Sequence, residues 1–239
     1  MIKQTPGKIF LADQRGLTET AQFRRYSTFN FGRYEHEHKV AFGSLDAVNE
    51  EILAGAQSIA LPVEQASYVL IIPITGAVIA SSLQGEPTTV EVEEIQIRTV
   101  PAYSVLYLTN PYETELISFL HIWIKAGPQV KDAVNQIVPF SAQAINNQLA
   151  AVIAAGMQRP TEPPLPFAVS LGRFAGRREA TYLLQSSRSR FFAFVVAGAF
   201  EAEGRLLHEH DGLALWEVEE VELEALSNDA LVLVLELID

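Results

Sequence analysis

Apolar residues along this chain fall in short runs, most continuous and some alternating with polar ones, and Gly, Pro, Asn or Asp stand between them. The runs are SYVLIIPIT (67–75), TTVEVEEIQIRTV (88–100), SVLYLT (104–109), LISFLHIWI (116–124), RFFAFVVAG (190–198) and LVLVLELI (231–238). Val, Ile, Phe and Tyr dominate them, which predicts β-strands rather than helices. In WEVEEVELEAL (216–226) the carboxylates stand at 217, 219, 220, 222 and 224, close to alternation, and predict the wet face of a half-buried strand.

The pattern also repeats. YVLIIPITGAVIA and RFFAFVVAGAFEA each read as an apolar strand, a Gly-Ala turn and a second strand, with Gly76 and Gly198 lying 122 residues apart. Duplication of a small β-barrel explains the repeat. Between the copies, an Ala/Gln/Asn-rich stretch passes into a proline-rich one. The pattern predicts a connector over 128–144, a strand near 148–154 and a loop over 156–166.

Composition narrows the class. With 239 residues, 49 % hydrophobic and 19 % charged, the chain has enough apolar surface for two cores of modest size. Cysteine is absent, which removes disulfides, thiolate nucleophiles and Cys-ligated metals. A net charge of −12 repels a phosphate backbone, so nucleic acid is not an expected partner. The Arg pairs at 24–25 and 177–178 read as solvated surface. The longest apolar run has 13 residues and contains Pro73 and Gly76. A spanning helix needs about 20. The start of the chain lacks the apolar core of a signal peptide. A cytoplasmic protein without membrane contact is expected.

Four of the five histidines form two H-x-H tripeptides, His36/His38 and His208/His210. On a strand this spacing turns both imidazoles to one face, as a chelate requires. Each tripeptide, however, lies beside Lys39 or the Asp211-Gly212 turn signal, and no convergent carboxylate is identifiable. Both read as hydrated loops. The fifth, His121, shares a strand face with Phe119 and Trp123, and reads as a hydrogen-bonded core or pocket residue. The chain has no G-x-S-x-G elbow, Walker loop, G-x-G-x-x-G or H-E-x-x-H.

Several motifs in order, TFNFGRY (28–34), FGSLDAVNE (42–50), GAVIASSLQG (76–85), EIQI (94–97) and IWI (122–124), resemble the pirin family, and DGLALW (211–216) is similar to the matching segment of its C-terminal barrel. The resemblance implies an all-β bicupin, two stacked cupin barrels of the double-stranded β-helix or jelly-roll type. Laid on this chain, it gives an N-terminal cupin domain over 1–127, the connector over 128–144 and a C-terminal cupin domain over 145–239.

A metal-holding pirin carries H-x-H on one strand of the first barrel and H-x-E on another, around an iron-type ion. The ungapped match lays these on Pro62, Glu64, Leu106 and Leu108; sliding the first segment by one residue moves the pair to Leu61 and Val63. Neither register supplies three ligands, so the family's iron is not expected here and no cofactor or catalytic residue is assigned. The candidate pocket is Pro62, Glu64, Leu106, Leu108 and His121.

The resemblance and its missing ligands imply a metal-free pirin-like protein, non-catalytic, that binds a small apolar molecule or serves as a regulatory interaction protein. The rival expectation is a metal-dependent dioxygenase of the quercetin 2,3-dioxygenase type, which would need a Lewis-acidic or redox metal held by other ligands.

Overall fold

The strands expected at 67–75 and 104–109 form over those same residues, and the computed structural model is built almost wholly of such elements. It describes residues 5–83, 85–127, 134–154 and 164–238. Among these the only helical element is a 3-10 turn, Ala12–Gln14. Among the described residues no helix is long and apolar enough to cross a membrane.

The chain divides into two compact units, Arg15–Phe140 and Met1–Gln14 with Ser141–Asp239. The second unit owns β1 (Gly7–Phe10). The first holds β2 (Gly16–Glu19), β3 (Phe23–Ser27), β4 (Leu45–Leu53), β5 (Ser58–Val63), β6 (Ser67–Thr75), β7 (Val78–Ser82), β8 (Gly85–Val90), β9 (Glu94–Val100), β10 (Ser104–Thr109), β11 (Ile117–Lys125) and β12 (Asn135–Pro139). The rest of the second unit is β13 (Ala150–Ile153), β14 (Phe167–Phe174), β15 (Glu179–Leu183), β16 (Arg190–Ala197), β17 (Phe200–Ala202), β18 (Arg205–Leu207), β19 (Gly212–Leu215), β20 (Glu220–Ala225) and β21 (Ala230–Leu237).

Each unit is a two-sheet barrel. The first has a large sheet ordered β12-β9-β6-β11-β4-β3-β2 and a small one ordered β5-β10-β7-β8. The second has β1-β19-β16-β21-β14-β13 and β15-β20-β17-β18. The small sheets run in the same relative order, and so do the large ones from their first strand inward. The Gly-Ala repeat marks the same corner in both, because Gly76 (φ 73°) joins β6 to β7 and Gly198 (φ 77°) joins β16 to β17. Both turns use a left-handed backbone that Gly adopts without steric penalty.

Two stretches fall differently from the expected domain limits. Residues 7–10, expected in the first barrel, pair antiparallel with Gly212–Leu215 of the second. There β1 occupies the edge that β12 occupies beside β9 in the first barrel. Residues 135–139, expected in the connector, are therefore a barrel strand; 128–133 lie outside the described residues. The strand near 148–154 is β13, and most of the loop over 156–166 lies outside the described residues. The run at 88–100 divides into β8 and β9, separated by a turn in which Glu93 has φ 67°. The wet face of 216–226 is realised in β20, where Glu220 and Glu222 are exposed and Val221, Leu223 and Ala225 are buried.

Inward-facing apolar residues fill each barrel. The first packs Ile59, Leu61, Val63, Val78, Ala80, Leu106 and Leu108 of the small sheet against Ala47, Leu53, Val69, Ile71, Phe119 and Trp123 of the large one. The second packs Phe174, Phe191, Ala193, Val195, Val232 and Val234 against Phe200, Val221 and Leu223. At about 25 cal/mol per Å² of apolar surface, such burial is the main stabilising term in either unit.

Candidate binding site in the first barrel

Antiparallel pairing fixes which side chains enter the first barrel, since alternate residues of a strand face opposite ways. In β5 the burial alternates so that Ile59, Leu61 and Val63 are inside and Ser58, Ala60 and Pro62 are exposed. Leu61 pairs with Leu106, and Ile59 with Leu108. The inward pair of this segment is therefore Leu61 and Val63; Pro62 and Glu64 are exposed. The one-residue slide weighed on sequence puts its pair on this inward face, since a one-residue change exchanges the faces of the whole segment.

Leu61, Val63, Leu106 and Leu108 are at most 3 % exposed and pack into one hydrocarbon cluster. They offer no lone pair, so the residues at this place do not fit a divalent transition ion. Among the described residues, no three His, Asp or Glu side chains are grouped as a metal ion requires.

On the large sheet the interior carries polar chemistry. Ala47, Asn49, Glu51 and Leu53 alternate along β4, with Arg25 of β3 opposite Glu51 and His121 of β11 opposite Asn49. Glu51 Oε1 accepts a hydrogen bond from Arg25 Nε and lies 3.0 Å from His121 Nε2. Trp123 Nε1 donates to His121 Nδ1 over 2.7 Å. An indole N–H can only donate, so Nδ1 is the acceptor and the imidazole proton sits on Nε2, directed at Glu51. Burial holds the His121 pKa below its ordinary value; the hydrogen bond and charge of Glu51 oppose this shift, and the charge of Arg25 adds to it. His121 is thus neutral, and the buried charges are those of Arg25 and Glu51.

Aromatic rings enclose the group. The Arg25 guanidinium carbon lies 5.2 Å from the Phe23 ring centroid and 5.0 Å from that of Phe31, both within cation-π range. Phe31 lies 5.6 Å from the His121 ring and 5.7 Å from Trp123. Unused polar capacity remains: Glu51 Oε2 and both side-chain polar atoms of Asn49 are buried without a partner among the described residues. Native interiors rarely leave such atoms unpaired without a reason.

A cleft of about 430 Å³ opens over this group. Arg25, Phe31, Leu61 and Trp123 line it, together with Tyr34, Ala60, Pro62, Glu64 and Lys125. Of the residues expected in the pocket, the structure brings Pro62 and Glu64 to the cleft as exposed residues. Leu106, Leu108 and His121 are wholly buried and are not among the described lining residues. Sequence reasoning missed Arg25, Phe31 and Glu51, and took Trp123 only as a neighbour of His121. Arg24 is exposed and paired with Glu19, as a solvated pair predicts, but its neighbour Arg25 is only 8 % exposed. The inward alternation Leu45, Ala47, Asn49, Glu51, Leu53 was the available signal.

The H-x-H tripeptides stand apart from this site. His36, His38 and His208 are exposed, as expected of loop residues, whereas His210 is half-buried with its ring 6.3 Å from Phe194. His36 Nδ1 accepts the backbone N–H of His38. The first pair belongs to the first unit and the second pair to the second.

Comparison with known proteins agrees with this architecture. The family described as the quercetinase C-terminal cupin domain matches residues 167–237. No curated protein sequence matches the chain. Among solved structures, YhhW from Escherichia coli superposes with a TM-score of 0.83 at 18 % identity, over 97 % of each chain. The bacterial pirin YhhW in complex with nickel(II), also from Escherichia coli, gives 0.80 at 19 % identity over 97 % of this chain and 99 % of that one. A quercetin 2,3-dioxygenase from Acinetobacter baumannii gives 0.71 at 14 % identity over 100 % of this chain and 88 % of that one. The second barrel thus matches the quercetinase C-terminal cupin model, and the chain as a whole shares the fold of these bacterial pirin and quercetin 2,3-dioxygenase structures.

Proposed function

We propose that the protein is a non-catalytic small-molecule receptor whose ligand enters the cleft of the first barrel. The observation that carries this reading is the pairing of two surfaces. Hydrocarbon stands at Leu61, Val63, Leu106 and Leu108, where metal chemistry would need lone pairs, while Phe31, Trp123 and Arg25 give the adjoining cleft an aromatic wall and a cation. Mostly apolar lining with a few fixed polar groups is the usual make-up of a ligand pocket. Occupancy would then be read out by a protein partner at the barrel surface.

The dioxygenase reading draws on the likeness to the Acinetobacter baumannii enzyme. It is the weaker one, because its metal would need ligands that the inward faces of β5 and β10 lack. Trp123 gives a direct test. With Trp216 replaced by Phe so that Trp123 alone emits, a saturable change in emission with naphthalene-2-methanol or 2-naphthoate, lost in Phe31→Ala, is the expected result. Oxygen consumption with quercetin after loading with iron or nickel would overturn the non-catalytic reading.

A further inference from the structure

Arg25 has hydrogen-bonding capacity that no described residue uses. We infer that the cleft recognises an aromatic monocarboxylate, its two oxygens on the Nη groups of Arg25 and its ring against Phe31 and Trp123. This rests on the receptor reading above and names the ligand class.

The guanidinium presents donors only in its own plane. Phe23 and Phe31 stand within cation-π range of it, and its Nε is committed to Glu51. No described residue accepts a hydrogen bond from Nη1 or Nη2, although the Arg25 side chain is only 10 % exposed and lines the cleft. A largely buried cation that lines a cleft, with two parallel N–H groups and no acceptor among the described residues, is a fork for a carboxylate, which it can hold in bidentate geometry. Its internal ion pair pre-orders the fork: Glu51 and the two Phe rings hold the guanidinium, so little side-chain entropy remains to be lost on binding.

The cleft selects against other anions. Asp46 is engaged by Lys125 at 2.9 Å, whereas Glu35 and Glu64 are exposed lining residues. Exposed carboxylates are screened by solvent and salt, so they tolerate one ligand charge held deeper, but they oppose a second. A phosphate or dicarboxylate is therefore disfavoured. About 430 Å³ accommodates one or two fused rings, and Ala60, Leu61 and Pro62 supply apolar contact opposite the aromatic wall.

The test uses the full chain carrying Trp216→Phe, so that Trp123 is its one indole, with 2-naphthoate, the uncharged naphthalene-2-methanol and naphthalene-2-phosphonate as probes. Naphthoate is expected to bind about tenfold or more tightly than the alcohol, as loss of charge-assisted hydrogen bonds implies. The phosphonate should bind more weakly than the naphthoate. In Arg25→Lys, which keeps the charge and loses the fork, the preference for acid over alcohol should fall to about twofold or less. Arg25→Gln/Glu51→Gln, which removes both charges together, covers the case in which the single variant does not fold; it should bind acid and alcohol alike. If both probes bind the parent equally and Phe31→Ala abolishes both, the receptor reading stands and the carboxylate inference falls. Phosphonate binding tighter than naphthoate also overturns the inference. If no probe binds, both readings fall.

Discussion

His121 Nε2 lies 3.0 Å from Glu51 Oε1, and both side chains are fully buried. Trp123 fixes the other ring nitrogen as an acceptor, so this is a neutral imidazole donating to a carboxylate whose charge is met by Arg25. The inner wall of the first barrel is therefore a fixed polar strip set in hydrocarbon, and several measurable properties depend on it.

Stability should depend on pH through His121. Its folded pKa lies below the ordinary value of about 6.5. Between the two values the unfolded chain binds a proton that the native state does not, so stability rises with pH and is lost as pH falls below about 6.5. The limit is about 1.4 kcal/mol per pH unit. Urea denaturation of the parent and of His121→Gln between pH 5 and 8 should show the parent's advantage shrinking on the acid side. A constant difference would refute the assignment.

Breaking the buried ion pair on one side should be costlier than removing it whole. Arg25→Met leaves Glu51 buried and uncompensated, at an expected loss of about 3–5 kcal/mol. Arg25→Met/Glu51→Met should be more stable than Arg25→Met. A double variant less stable than either single one would contradict this.

The register of β5 can be read from truncations. Leu106→Ala and Leu61→Ala remove fully packed side chains and should each cost about 2–5 kcal/mol. Pro62→Ala and Glu64→Gln alter exposed positions, and the Glu64 change should stay within about 0.5 kcal/mol. Reversal of that order in thermal or urea unfolding would show that the strand faces the other way.

Restoring lone pairs on the inward face should create a metal site. Leu61→His, Val63→His, Leu106→His and Leu108→Glu together place three imidazoles and a carboxylate within the barrel, and one equivalent of nickel is expected by calorimetry. The same set with Pro62→His and Glu64→His in place of the first two should bind far more weakly, since those side chains point outward. Equal binding by both would show that the sites do not converge as the pairing implies.

The N-terminal strand should be integral to the second barrel. Phe10 is 2 % exposed and lies 6.2 Å, ring to ring, from Phe192, while Asp211 accepts the backbone N–H groups of Ala12 and His208. Phe10→Ala should cost about 3–5 kcal/mol. Asp211→Ala, which frees two backbone donors, should cost about 1–3 kcal/mol. Unchanged unfolding of both would mean that β1 is dispensable.

Sequence alone determined the β class, several strand limits and the duplication, because these follow from local chemistry: β-branched and aromatic runs between turn residues, and a Gly at each matching corner where φ is positive. It also determined that no histidine stands at residues 61–64, 106 or 108, where the resemblance lays the family's ligands in either register. Three things were decided only by tertiary structure. The barrel to which β1 belongs depends on pairing between residues some two hundred positions apart, Gly7 with Leu215, and no local pattern encodes that partner. The inward face of β5 depends on Leu61 meeting Leu106 across the sheet; the alternation in SIALPV hinted at it, but the ungapped family match pulled the reading one residue away. The polar strip depends on three strands bringing Arg25, Glu51 and His121 side by side. An arginine next to another arginine reads as surface until a buried carboxylate is seen opposite it, because the cost of burying a charge is set by its partner and not by its own sequence neighbours.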